Sequence, residues 1–211
     1  MTTPSLSIII PTLNEERYLP TLLTDLSRQT YRDFEVVIVD GHSDDRSVAK
    51  ANLFAHRLPQ FTLLDSPTRN VCQQRNLGAE NAQAETLLFL DADNRLEPHF
   101  LLGLKYRQEQ SKADFFTTWV KAEENSLATQ AADTLINLYM ESQKNTPSPF
   151  GVEAAFGANR TQFLKLKGFD RSPCEGARLL KKAVTKKMTF AVFKDPTYSY
   201  SLRRVRKLGT F

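Results

Sequence analysis

Four short apolar runs punctuate the first ninety residues: "LSIII" (6–10), "FEVVIVD" (34–40), "FTLLD" (61–65) and "TLLFLD" (86–91). Each has the length and β-branched or aliphatic content of a buried strand, and each is too short for an ordinary helix. Helical patterns separate them. "EERYLPTLLTDLSRQ" (15–29) sets Leu19, Leu22, Leu23 and Leu26 on one face. "SDDRSVAKANLFAH" (43–56) opens with a Ser N-cap and first-turn acids, and "TRNVCQQRNLGAENAQ" (68–83) reads as a third helix. Continuous apolar strands alternating with helices predict an α/β fold, a mostly parallel central sheet with helices on both faces. Right-handed crossovers bring every strand's C-terminal end to one edge, where ligands bind. That edge collects Pro11 to Glu15, Asp40, and Asp91 with Asp93.

The second half is less regular. "DFFTTWVKA" (114–122) reads as a strand. Residues 126–143 carry Leu127, Ala131, Leu135, Leu138 and Tyr139 at helical spacing, which predicts a helix packed on the sheet, the alternative being an apolar face that covers an acceptor or touches a membrane. "NTPSPFG" (145–151) is a loop, and 153–170 reads as a small-residue turn followed by a short helix ended by Gly168. A basic helix (174–187) and a final strand (188–195) complete the reading. No repeat, low-complexity stretch or linker divides the chain, so 1–211 is expected to form one unit. Phe115, Phe116 and Trp119 read as core.

Composition narrows the class. Of 211 residues, 41% are apolar and 25% charged, the balance of a globular protein. Two cysteines make neither a disulfide framework nor a zinc site. The first residues lack a basic leader, and Pro11 cuts their apolar run, unlike a signal peptide; no apolar run reaches spanning length. Charge is uneven: residues 1–150 hold 14 Lys/Arg against 20 Asp/Glu, a net of −6, and 151–211 hold 14 against 4, a net of +10. A basic final third suits phosphates or an anionic membrane surface. Nucleic acid is not expected, since zinc-finger and RNA-binding signatures are absent.

Asp91 and Asp93 are the most informative pair. Residues i and i+2 of an extended backbone point to one side, so both carboxylates can face one ligand. A hard divalent cation such as Mg²⁺ or Mn²⁺ would neutralise both and complete its shell with water and phosphate. The alternative is that one of them caps the turn or the helix beginning near Glu97. Asp40 ends a strand where a dinucleotide fold would hold ribose, but that fold needs a glycine-rich turn after the first strand. "PTLNEE" has no glycine, which argues against a dehydrogenase.

"LSIIIPTLNEERYLPTLLTDLSRQTYRDFEVVIVDGHSDD" resembles the opening of inverting glycosyltransferases of family 2, which have the GT-A (Rossmann-like) fold. "QQRNLGAENAQAETLLFLDADNRLEP" is similar to their Arg-Asn helix, strand and Asp-x-Asp, and "GANRTQFLKLKGFD" to their acceptor-side turn. The resemblance covers nearly the whole chain. It implies a nucleotide-sugar half (1–95) and an acceptor half (96–211). It implies that Pro11, Thr12, Asn14 and Glu15 line a nucleotide pocket, that Asp40 accepts from the base, and that Arg75 lies near the nucleotide. Asp91 would face ribose or metal, Asp93 would bind Mn²⁺ or Mg²⁺, and Arg203 and Arg204 in "YSYSLRRVRKLG" would reach diphosphate oxygens. The donor implied is a UDP-sugar. With the basic final third, a glycan or lipid-linked acceptor, peripheral membrane contact and a cytoplasmic or inner-membrane-face location are expected.

The chain departs from the pattern at the base. The family places Glu-Asp after the acceptor-side Gly-Phe-Asp; here "GFDRSPCEGARLL" has Glu175 followed by Gly176. Glu175 and Asp170 are the candidates for the catalytic carboxylate. The processive-synthase signature Gln-x-x-Arg-Trp is absent, so single-sugar transfer is expected. Two rival readings are a sugar nucleotidyltransferase, whose glycine-rich opening turn "PTLNEE" lacks, and a non-catalytic nucleotide-sugar binder, motivated by Gly176.

Overall fold

The computed structural model describes residues 3–124, 126–171 and 175–201, Glu175 by its backbone alone. The four apolar runs are strands: β1 (Leu6–Thr12), β2 (Phe34–Asp40), β3 (Phe61–Asp65) and β4 (Thr86–Leu90). Helices α1 (Leu19–Ser27), α2 (Ser47–Asn52) and α3 (Val71–Asn81) alternate with them. Then come α4 (Phe100–Ser111), β5 (Phe115–Ala122), α5 (Leu127–Gln143) and β6 (Ala155–Asn159). After these follow α6 (Arg160–Lys165), α7 (Glu175–Thr185) and β7 (Phe190–Tyr200).

The seven strands form one sheet in the order β3-β2-β1-β4-β6-β5-β7. Pairings are parallel except at β6, which runs antiparallel to both β4 and β5. The expected α/β architecture is therefore present. From β1 the chain winds outward through β2 and β3, then returns to place β4 on the other side of β1. That reversal leaves a crevice at the carboxyl ends of β1 and β4.

Strand alternation builds two apolar layers. Ile8, Ile10, Val36 and Ile38 pack with Leu19, Leu22 and Leu26 of α1 on one face. Ile9, Val37, Val39 and Phe89 pack with Ala79 of α3 and Leu179 and Leu180 of α7 on the other. Each fully buried aliphatic or aromatic side chain contributes about 2 kcal/mol.

Four elements differ from the sequence expectation. The second helix begins at Ser47, not Ser43, because short polar side chains capture the turn: Ser43 bonds back to Asp40, and Asp45 accepts from the Ser47 amide. The supposed small-residue turn is strand β6. Its Gly157 sits against the Phe116 ring, where any Cβ would collide, so small residues here serve close packing, not a turn. The final strand runs five residues further, to Tyr200.

The fourth difference concerns α5. The helix forms, with Ser126 and Thr129 making a capping box, but its buried residues are Thr129, Asp133, Asn137 and Met140. Leu127, Leu135, Leu138 and Tyr139 face outward. The cause is β5. Its C-terminal half runs past the end of β6 and would leave backbone groups unpaired. Asn137 accepts from the Val120 amide (3.0 Å) and donates to the Val120 carbonyl (2.8 Å), and Asp133 accepts from the Ala122 amide (2.6 Å). Side chains of α5 thus act as a substitute strand. Replacing Asn137 by Ala is expected to cost about 2 kcal/mol, the penalty for orphaning buried backbone groups, read as a lowered urea midpoint with unchanged m-value.

Candidate active site

The turns after β1 and β2 are laced together. Asn14 adopts a left-handed conformation (φ 57°), which Asn tolerates better than most residues. Its amide donates to Ser43 Oγ (2.9 Å) and its side-chain oxygen accepts from the Asp44 amide (2.8 Å). The Glu15 amide donates to Ser47 Oγ (2.7 Å). Asp40, buried at the end of β2, accepts from the Ser43 amide (2.8 Å) and hydroxyl (2.6 Å). Gln74 of α3 donates to the Thr12 carbonyl (2.7 Å) and the Val39 carbonyl (2.8 Å), joining the two strand ends from below.

Beside this floor, at the β1/β4 crevice, lies a cavity of about 370 Å³ walled by Pro11, Glu15, Arg69, Gln74 and Asp91 among others. The first turn of α3, capped by the Asn70 side chain accepting from the Gln73 amide (3.0 Å), also lines it. A helix N-terminus and an arginine at one cavity favour an anionic ligand. Pro11, Glu15 and Asp91 thus meet at one cavity; Thr12 and Asp40 form the strand ends beside it.

Asp91 and Asp93 follow β4 and are each 8% exposed. The buried Asp91 carboxylate needs compensation, and Arg75 supplies it. Its Nη2 lies 2.8 Å from Asp91 Oδ1, and its Nη1 lies 3.4 Å from Glu153 Oε2. The guanidinium sits over the Phe169 ring at 5.4 Å, and that ring packs on Phe89, Phe156 and Phe163. Arg75 therefore lies under the edge as a buried counter-charge to Asp91. The Ala154 carbonyl accepts from the Asp91 amide (3.0 Å) and from the Asn94 side chain, locking the acidic turn to the start of β6.

A second cavity, about 460 Å³, opens between Asp91, Asp93 and Asn94 on one side and Val120, Ile136 and Tyr198 on the other. Asn94 Oδ1 and the Tyr198 hydroxyl are buried without a hydrogen-bond partner among the described residues. Burial first, and the charge of Asp91 next, push the Tyr198 phenol well above its ordinary range, so it remains an O–H donor. These groups fit a divalent cation of the hard type. Asp91 and Asp93 would offer carboxylate oxygens and Asn94 Oδ1 is an unpartnered acceptor beside them, while no group of three or more His, Cys, Asp or Glu side chains able to hold a metal ion occurs among the described residues. Such a donor set suits Mg²⁺ or Mn²⁺, which leave coordination sites to water and phosphate.

Asp170 lies elsewhere in the pattern: it is half-exposed and paired with Lys182 at 2.8 Å, just past Phe169. Glu175 is the first residue of α7, and its side chain lies outside the described residues, as do Arg203 and Arg204. Sequence reasoning passed over Arg69, Gln74, Asn94, Tyr198 and Glu153. Asn94, adjacent to the Asp-x-Asp, and Gln74, adjacent to Arg75, carried a signal; the others arrive from segments with none.

This mostly parallel seven-stranded sheet with its helices is the GT-A architecture. Solved structures bear out the fold. S. aureus TarS 1-349 in complex with UDP superposes with a TM-score of 0.74 at 20% identity, covering 93% of this chain and 60% of that one. The mannosyltransferase PcManGT from Pyrobaculum calidifontis, in complex with GDP-Man and Mn²⁺, gives 0.75 at 20% identity, covering 94% and 57%. The family follows from the sequence match: the model of Glycosyl transferase family 2 matches residues 7–187, and the chain belongs to that family. A PGL/p-HBAD biosynthesis glycosyltransferase of Mycobacterium bovis is 43% identical over 97 residues, 46% of this chain and 38% of the relative. The putative glycosyltransferase EpsH of Bacillus subtilis is 32% identical over 100 residues, 47% and 29%. The aligned segments thus span less than two fifths of these relatives' length.

Arg75→Met is expected to destabilise the fold by about 3 kcal/mol, because it strands the buried Asp91 carboxylate and removes the partner of the half-buried Glu153. Chemical denaturation checks it, and a change below about 1 kcal/mol would show the pair to be unimportant for stability.

Proposed function

We propose that the chain is a metal-dependent, inverting, non-processive glycosyltransferase that moves a sugar from a nucleotide-sugar, a UDP-sugar above all, to an acceptor hydroxyl. The observation that carries the reading is Asp91 and Asp93 at the carboxyl edge, beside an anion-favouring cavity at the β1/β4 reversal. Family membership and structural neighbours described in complex with UDP and with GDP-Man support it.

In this reading Pro11, Thr12, Asn14 and Glu15 border the nucleoside. Asp40 has two acceptor sites occupied by Ser43 and others left for an N–H of the base. Arg69 and the α3 N-terminus face the phosphates, with Arg203 and Arg204 proposed as further partners. Asp93, with Asp91, would hold Mn²⁺ or Mg²⁺, which supplies Lewis-acid stabilisation of the leaving diphosphate. The Tyr198 hydroxyl can donate to a phosphate oxygen or a sugar hydroxyl at the second cavity, and Asn94 Oδ1 can accept from a sugar hydroxyl. "PTLNEE" disfavours the nucleotidyltransferase alternative; the non-catalytic binder is separated from an enzyme by turnover.

The outward apolar face of α5 supports a membrane-proximal acceptor. Leu127 is 86% and Leu135 69% exposed. Tyr139 adjoins Phe150 and the basic Arg178 and Lys181 of α7, a pairing that suits an anionic lipid surface. No helix among the described residues is long and apolar enough to cross a membrane. The doubly substituted L135S/L138S chain should sediment less with phosphatidylserine vesicles than the unsubstituted chain does; equal sedimentation counts against this contact.

A thermal-shift panel of UDP-glucose, UDP-galactose, UDP-GlcNAc and GDP-mannose, with and without Mn²⁺, tests the donor reading. A metal-dependent rise is expected for at least one donor, and Asp93→Ala should abolish its metal dependence. A melting temperature unmoved by every donor would sink the proposal.

A further inference from the structure

Glycine at position 176 removes the acid that the family resemblance expects there, and Glu153 occupies the space so opened. We propose that Glu153 is the general base of the transfer, delivered from the segment ahead of β6 in place of a side chain on α7. The proposal rests on the glycosyltransferase reading above.

The Glu153 carboxylate lies against the first turn of α7. Its Oε1 accepts the Gly176 amide hydrogen at 2.6 Å. A Cβ built on residue 176 would stand 2.5 Å from that Oε1, 2.6 Å from Cγ and 2.8 Å from Cδ of Glu153. Real carbon atoms do not approach so closely. An acid at 176 and Glu153 in this position are therefore mutually exclusive, and this chain holds the second arrangement. The carboxylate stands at the end of α7 from which an acid at 176 would project, so the helix end keeps its negative charge although the residue supplying it has changed.

Two connections tie this carboxylate to the acidic turn. Its Oε2 faces Arg75 Nη1 at 3.4 Å, and Arg75 in turn holds Asp91 at 2.8 Å. Ala154, the next residue, accepts the Asp91 amide hydrogen through its carbonyl. The base candidate and the acidic turn thus share one guanidinium and one backbone bond, which sets their separation rigidly. The Glu153 side chain is 25% exposed against 4% for Arg75, so it reaches solvent. Asp170 is paired with Lys182 at the surface and makes no hydrogen bond or ion pair with Arg75 or the acidic turn among the described residues. In the reaction, a Glu153 oxygen takes the proton of the acceptor hydroxyl as the hydroxyl oxygen's electron pair forms the bond to the anomeric carbon. The bond from that carbon to the β-phosphate oxygen breaks, its electron pair leaves with the nucleoside diphosphate, and the proton passes from Glu153 to solvent.

The test uses the full chain with Mn²⁺ and the donors named above, reading released nucleoside diphosphate and, separately, the thermal shift with UDP. Glu153→Gln keeps the shape and the acceptor for Gly176 but cannot take a proton. Turnover should fall about 100-fold or more while the UDP shift is retained. Turnover within about threefold of the unsubstituted chain overturns the proposal. So does a loss of turnover accompanied by loss of the UDP shift, which would make Glu153 a prop for Arg75. Should the Gln variant not fold, E153A and E153A/G176D carry the test. The double variant returns an acid to α7 and should exceed E153A by about tenfold or more; equality overturns the proposal. An unsubstituted chain that neither binds nor turns over any donor instead refutes the transfer reading itself, a result distinct from an active chain indifferent to Glu153.

Discussion

A single buried guanidinium organises the carboxyl edge. The apolar strand β4 delivers Asp91 into a nearly closed environment, where an uncompensated carboxylate would cost several kcal/mol. Arg75 projects from the middle of α3 to meet it, rests on the Phe169 ring and extends a second arm to Glu153. Through Glu153 the connection continues to the α7 backbone. Four segments far apart in sequence therefore share one charge network. Buried ion pairs of this kind contribute more to geometry than to net stability. Here the geometry is the spacing between an acidic turn and the acceptor-side helix.

Around that network, polar side chains repeatedly stand in for secondary structure. Gln74 bonds two strand-end carbonyls, Ser43 and Ser47 bind the turn that follows β1, and Asp133 and Asn137 complete an unpaired stretch of β5. Each answers the same demand, that a buried amide or carbonyl have a partner. The cost appears in α5. Its inward face is committed to hydrogen bonding, so its leucines are displaced to the outside, where only a ligand, a partner or a lipid surface can cover them.

Much was legible from local pattern. The strands of the first half, the helices between them and the parallel sheet followed from hydrophobic periodicity, and the right-handed crossover rule then put Pro11, Asp40 and Asp91 at one edge. The same method misjudged α5, because helical spacing of leucines identifies an apolar stripe and not the direction it faces. It misread 153–159 because alanine and glycine look like a turn until the Phe116 ring that requires them is placed alongside.

What the sequence by itself determined is the α/β order, the acidic turn after β4 and the family to which the chain belongs, since each is carried by residues close together in the chain. Only the tertiary structure decided that Arg75 neutralises Asp91, that Asn137 pairs with β5, and that Glu153 fills the place vacated at Gly176. Arg75 and Glu153 are separated by 78 positions and Glu153 and Gly176 by 23. No local pattern encodes those pairings; they exist because the fold brings a desolvated charge, or an empty volume, to the one side chain able to satisfy it.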